Sequence, residues 1–323
     1  MDLYINTFGT YIKKKDDMFE LEVEGKKTKV SPSKVRSIVI STRAMITTDV
    51  VKLALDNNID IVFMDDFGNP YGRFWHSRFG STTYIRRRQL EVFENEEGLE
   101  YSKEWIKNKI ENSIKHLKDL KYKRHSKEQE IEERISEIEG YITKIDKITG
   151  TIDEKRNTLQ GYEGNASKLY WDILSYLIPE PFKFEGRSIR PAKDEFNCMI
   201  NYGFGVLYGK VEKACIIAGL DPFIGIMHTD NYNKKSLVFD IIENYRHYVV
   251  RTVFAMFSRK KVNKEYFDEI KGGLKLNKEG KRILITELSD FFSKDVYYDG
   301  RKISNLDIIQ HDCHKIANKL IGK

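Results

Sequence analysis

Between Gly219 and Arg246 the chain places one histidine and two acids in an apolar setting. His228 follows the hydrophobic run Phe223, Ile224, Ile226 and Met227, and Asp240 and Glu243 lie within Leu237-Val238-Phe239-Asp240-Ile241-Ile242-Glu243. On a helix, a spacing of three puts both acids on one face. Carboxylates among residues that favour burial need a partner, because an unpaired buried charge costs several kcal/mol. Two kinds of partner are open. An imidazole nitrogen with carboxylate oxygens suits a divalent metal, manganese or magnesium, with water in the remaining positions. Alternatively, His228 is a structural histidine and the acids pair with Arg246 or Lys235.

Glu163 is a second point of interest. It sits between Gly161 and Gly164, glycines that permit close backbone approach or an unusual turn. A plain alternative is a carboxylate at a helix N-terminus, where the dipole favours it. Other chemistries find no support. Cys198, Cys215 and Cys313 are too few and too scattered for a disulfide framework. His311-Asp312-Cys313-His314 has only half of a structural zinc spacing. Neither a phosphate-cradling glycine loop nor a nucleophile elbow is present. Gly203-Phe204-Gly205 falls inside a helical pattern and points to close packing.

The elements that must position these residues divide into a small N-terminal β-rich domain, 1–85, and a larger all-α domain, 86–323, an α+β fold. Leu3-Tyr4-Ile5, Thr10-Tyr11-Ile12, Phe19 to Glu24, Val35 to Ile40, Ile59 to Met64 and Tyr71 to Trp75 read as strands, with Gly25-Lys26-Lys27 as a turn. One internal helix is capped by Thr47 or Thr48 and runs through Leu55. From Arg86 onward the spacing of apolar residues is three to four. Trp105 to Ile148 carries isoleucine or leucine at that period, and Ser126 to Glu139 is charge-dense enough to predict a solvent-exposed helical hairpin. Thr158 to Leu177 reads as a helix or helix pair, ended by Pro179 and Pro181. A long helix then starts at an Asp194 N-cap and stops at Gly219. Tyr248 to Phe257, Lys278 to Phe292 and Ile303 to Leu320 complete the helical part.

Composition bounds the class. The 323 residues are 40% hydrophobic and 32% charged, a globular balance that argues against wholesale disorder. No apolar run approaches the roughly 20 residues a bilayer span needs, and the start carries no signal-like segment, so an intracellular, soluble protein is expected. The net charge of +6 is mild, but it gathers at Arg86-Arg87-Arg88, at Lys118 to Arg124 and at Ser258-Arg259-Lys260-Lys261. Such clusters can track phosphates or simply solvate helix ends.

In order along the chain, Gly161-Tyr162-Glu163-Gly164 with Tyr170-Trp171, Asn197 to Tyr208, Ala218-Gly219-Leu220-Asp221-Pro222 with Gly225 and His228, and Ser236-Leu237 with Asp240 and Glu243 resemble the CRISPR-associated adaptation endonuclease, the integrase that inserts spacers into a CRISPR array. The resemblance covers nearly the whole chain. It implies a metal-dependent DNA integrase and endonuclease in the cytoplasm of a prokaryotic cell, with no membrane association. It also implies a homodimer that works on double-stranded DNA with a small ferredoxin-like companion protein. By the same resemblance Glu163, His228 and Glu243 match the metal ligands, and Asp240 matches an acidic position that acts beside them. Arg187, Arg190, Lys234 and Lys235 are the nearest basic residues in sequence and the candidates for DNA contact. Asn231 to Lys235 replaces the glycine turn many relatives carry after this histidine. A catalytically idle DNA-binding scaffold and a standalone repair nuclease are the competing readings.

Overall fold

The computed structural model describes residues 1–76, 83–229, 232 and 234–322. The first part of the chain is β-rich, as expected. It contains β1 (Asp2–Ile5), β2 (Tyr11–Lys15), β3 (Met18–Val23), β4 (Lys26–Val30), β5 (Ser37–Ile40), β6 (Met45–Ile46), the helix α1 (Thr48–Asp56), β7 (Asp60–Met64) and β8 (Pro70–Phe74). One sheet has the order β1-β5-β7-β8, parallel except for its antiparallel edge strand β8, and the other has the order β4-β3-β2-β6. Between them α1 contributes Val50, Leu53 and Ala54 to a core with Ile12, Phe19, Ile38 and Ile61. On the other face of β5 and β7, Val39, Val62 and Met64 belong to the helical core. These strands are buried on both sides, which explains their nearly unbroken apolar sequence.

Two strands of this N-terminal part were not anticipated. β4, read from sequence as a turn, is almost wholly exposed and exists through its ladder with β3. Glu24 and Gly25 both take positive φ, the geometry of a tight two-residue hairpin. β6 is only two residues long, too short for any periodicity.

The remainder is mostly helical: α2 (Thr83–Phe93), α3 (Glu96–Lys123), α4 (Glu128–Asp146), α5 (Ile152–Leu177), α6 (Glu195–Ala218), α7 (Ser236–Ile242) and α8 (Arg246–Ser258) come first. After them the expectation of an all-α part needs correction. The hairpin β9 (Phe267–Ile270) with β10 (Gly273–Leu276) precedes α9 (Lys278–Ser293), and the hairpin β11 (Asp295–Tyr298) with β12 (Arg301–Ser304) precedes α10 (Asn305–Leu320). Both hairpins are short, and their strands are too polar to stand out beside the helical patterns. Asp299 and Gly300, both at positive φ, form the turn of the second. α2 spans residues 85 and 86, where the β-rich and helical parts were expected to meet.

Within the helical part, the charge-dense hairpin of α3 and α4 is less exposed than its composition suggests. Ile131, Ile135, Ile138 and Ile145 are buried while lysines and glutamates cover the outside. α5 is a single helix that starts earlier than expected because Thr151 and Glu154 form a capping box. α6 runs between its two anticipated caps. Asp194 accepts the Asn197 N–H at 2.7 Å, and Gly219 takes the left-handed conformation.

α6 is also the strut between the two parts of the molecule. A side chain at Gly205 would meet the Gly68 carbonyl oxygen at 2.0 Å, so only glycine lets this helix lie against the β7–β8 turn. Beside that contact, Arg73 of β8 pairs with fully buried Asp60 of β7 and, at 3.0 Å, with Glu212 of α6. Lys213 of α6 reaches Asp60 at 2.7 Å. Among the described residues no helix is long and apolar enough to cross a membrane.

Candidate active site

The helix that carries Asp240 is short, and it is held against the loop before it. Leu237 N–H bonds the Pro222 carbonyl at 3.1 Å, and Ser236 Oγ the Thr229 carbonyl at 3.1 Å. A side chain at Gly225 would strike Ser236 Cβ at 2.4 Å. Buried Gln89 of α2 clasps the same loop, donating to the Asp221 and Ile224 carbonyls and accepting from the Asp221 N–H. Arg156 of α5 donates to the Met227 carbonyl at 2.9 Å. Neither Gln89 nor Arg156 carries a motif, so sequence reading passed over both.

Asp240 is fully buried and fully used. Its Oδ2 accepts the N–H groups of Ile226 at 2.6 Å and Met227 at 3.1 Å. Its Oδ1 accepts the His228 N–H at 2.9 Å and faces His228 Nδ1 at 2.6 Å. Of the two partners weighed for it, neither Arg246 nor Lys235 is the one found: Asp240 holds the loop that carries the histidine. His228 Nε2 has no hydrogen-bond partner among the described residues, and the ring packs on Phe239.

Glu243 has different surroundings. It is buried at the end of α7; Oε1 accepts Arg246 Nε at 2.7 Å and Oε2 lies 2.6 Å from Lys109 Nζ. That second approach is not aligned as a hydrogen bond, so Oε2 is a buried oxygen without one. Burial works to raise its pKa, but Arg246 and then Lys109 outweigh it and hold the carboxyl at about 2.

Glu163 sits in the interior of α5, not at its N-terminus, and nothing approaches the open sides of Gly161 and Gly164. Both readings made for it from spacing are therefore set aside. Its Oε1 accepts Ser167 Oγ at 2.8 Å and the Lys109 ammonium. Burial opposes the charge of Lys109, but Glu243 and then Glu163 raise its pKa.

The four predicted residues thus form two pairs. Glu163 and Glu243 meet at Lys109, and His228 meets Asp240. Among the described residues no three histidine, cysteine, aspartate or glutamate side chains stand close enough to hold a metal ion as they are placed. The carboxylates are engaged by Lys109 and Arg246, and the imidazole is engaged by Asp240.

A cavity of about 410 Å³ opens at the carboxylate pair, walled by Lys109, Ser167, Trp171, Arg187, Arg246 and His247 among others. His247 was not foreseen. Burial and then Arg251 push its pKa down to about 3, so it is neutral. Arg187, Phe204 and Arg246 also line an adjoining cavity of about 490 Å³, where Arg190, Lys234 and Lys235 lie with Tyr208, Tyr232 and Phe239. Arg187 is oriented by Asn197 and, at 2.7 Å, by Asn201. Arg190 reaches Asn69 at 3.0 Å, and Lys235 is committed to Glu212 at 2.5 Å. Lys234 stands over the Phe239 ring. Asn231 and Asn233 of the same loop lie outside the described residues.

Glu163 and Glu243 line a cavity that adjoins a groove of cations and aromatic rings, while His228 and Asp240 line neither. The chain belongs to the family described as CRISPR associated protein Cas1, which matches residues 3–290. It is 34% identical to the CRISPR-associated endonuclease Cas1 1 of Archaeoglobus fulgidus, across all of this chain and 97% of that one. A solved Cas1 protein from Thermotoga maritima superposes with a TM-score of 0.85 at 25% identity, covering 100% of this chain and 98% of that chain. A casposase bound to integration product has the same fold, with a TM-score of 0.85 at 22% identity over 100% of this chain and 91% of that chain. The protein is a CRISPR-associated adaptation endonuclease.

Proposed function

We propose that this chain joins DNA 3′ ends into a CRISPR repeat array by divalent-metal-dependent phosphoryl transfer. In this reading Glu163, His228 and Glu243 hold the ion, manganese or magnesium. The observation that carries it is the meeting of Glu163 and Glu243, from separate helical elements, at one positive charge. The donor chemistry fits. Glu243 offers Oε2, buried and held by its ion pair with Lys109, and His228, with Nδ1 on Asp240, offers Nε2. A carboxylate behind the imidazole fixes its tautomer and raises its basicity as a ligand.

When bound, the divalent ion supplies polarisation of the scissile phosphate and offsets charge in the in-line displacement. Asp240 sets the orientation of the His228 ring. Arg187 and Arg246, at the wall shared by the two cavities, would receive phosphate oxygens. Arg190, Lys234 and Lys235 would continue that path without regard to sequence, and Tyr208, Tyr232 and Phe239 offer surfaces on which unpaired bases can stack. We assign dimerisation and DNA contact to the β-rich part, 1–85, and catalysis to 86–323. The active assembly is a homodimer with a small ferredoxin-like companion protein on double-stranded DNA.

The test is strand transfer of a labelled duplex into a plasmid carrying a repeat, with purified protein, companion and Mn²⁺. Glu163→Gln, His228→Ala and Glu243→Gln should each abolish joining. Metal-dependent joining that survives both His228→Ala and Glu243→Gln shows the assignment to be wrong.

A further inference from the structure

Lys109 stands where the proposed site needs a cation. Its ammonium contacts Glu163 of α5 and lies 2.6 Å from Glu243 Oε2 at the end of α7, while its own backbone belongs to α3. The three side chains are only 21%, 22% and 7% exposed, so this is an enclosed contact and not a mobile surface pair. Arg246 engages the other oxygen of Glu243 and does not replace it. Without Lys109, two carboxylates would share one partly dry cavity with a single neutralising group between them, and like charges so placed disfavour joint ionisation.

An ammonium is a compact point charge on a flexible stem. A divalent cation such as Mg²⁺ carries twice that charge and binds oxygen at about 2.0–2.1 Å. An ion held by Oε1 of Glu163 and Oε2 of Glu243 would take the place that the Lys109 ammonium occupies between them. We infer that Lys109 is a resident counter-cation: it holds Glu163 and Glu243 together in the metal-free protein and is displaced when a divalent ion binds between them. The inference rests on the reading of these two acids as ligands. Its consequence is that Lys109 weakens metal binding, because the competent arrangement is reached only after its two ion pairs are given up. A lysine that merely supports the fold would have the opposite effect on affinity.

The test is Mn²⁺ binding to the full chain, followed by electron paramagnetic resonance and by thermal unfolding with and without the ion. Lys109→Met should melt lower than the wild type without metal. It should nevertheless bind Mn²⁺ about tenfold more tightly and gain more in Tm from it. Equal or weaker Mn²⁺ binding by Lys109→Met overturns the inference. Glu243→Gln separates the two levels. If it binds Mn²⁺ as the wild type does, the ligand reading falls and this inference with it. If it loses Mn²⁺ while Lys109→Met gains nothing, only the displacement falls. Acetylation of the wild type, read by mass spectrometry, covers a Lys109→Met variant that fails to fold. Lys109 should be protected without metal and react several-fold faster in saturating Mn²⁺; an unchanged or slower rate overturns the inference.

Discussion

Asp240 Oδ1 lies 2.6 Å from His228 Nδ1, and the same carboxylate accepts three consecutive backbone N–H groups of Ile226, Met227 and His228. One acid therefore shapes the loop and orients the ring, and the two substitutions at this pair should differ in kind. His228→Ala leaves the three backbone bonds in place and should cost about 1 kcal/mol of stability while abolishing strand transfer. Asp240→Ala orphans three buried donors and should cost about 3–5 kcal/mol. Urea unfolding of the two variants checks the difference. Equal losses would mean that Asp240 acts on the imidazole alone.

Glu163 and Glu243 should separate in the same way. Glu243 is buried between Lys109 and Arg246, whereas Glu163 is more open and meets Lys109 and Ser167. Both Gln variants should lose activity, but Glu243→Gln should be destabilised by about 2–4 kcal/mol and Glu163→Gln by less than about 1 kcal/mol. Paired activity and unfolding measurements check this. Activity retained by Glu163→Gln would remove it from the site.

What was legible in the sequence follows physical locality. Asp194 and Gly219 announced the ends of α6 because capping is a local hydrogen-bonding need, and the glycines of Gly203-Phe204-Gly205 announced close packing because few other roles suit glycine inside a helix. His228, Asp240 and Glu243 stood out by type and spacing within apolar sequence and Glu163 by its flanking glycines, while the roles proposed for them came from ordered resemblance. What was illegible depends on partners far along the chain. Lys109 is one of many lysines on a charged helix, and nothing near it in sequence distinguishes it from those on the solvent face. Residue types alone gave Asp240 a side-chain cation or a metal as partner, and the resemblance made it a support beside the ligands. Its main partners are backbone N–H groups, which every residue type carries. β4 and the two late hairpins were hidden because short exposed strands are held by their ladders more than by apolar alternation.

The seam between sheet and α6 offers a test remote from the chemistry. Arg73 neutralises buried Asp60 and Glu212 together. Arg73→Met should cost about 3–5 kcal/mol, since it strands charge in a dry contact. Lys52→Ala, which breaks the exposed pair with Asp56, should cost under about 1 kcal/mol. Urea midpoints at neutral pH compare them, and a mild Arg73→Met would show that Lys213 alone suffices for Asp60.

The helical core should also impose a pH dependence. His247 has its pKa pushed down from 6.5 to about 3, by burial and then by Arg251, and His116 moves in the same direction for the same leading reason. Both are neutral in the folded chain. In the unfolded chain each takes up a proton as pH falls below 6.5, so the unfolded state gains there and the folded state does not. The contribution of His247 is intact above pH 6.5 and is lost progressively as pH falls toward 3. At pH 5 the loss is about 2 kcal/mol for this one histidine. His247→Gln, uncharged at every pH, should lose about that much less than the wild type between pH 7.5 and pH 5 in urea unfolding. An identical loss in both proteins would mean that His247 is protonated in the fold, and that the cavity beside Glu243 is wetter than its lining implies.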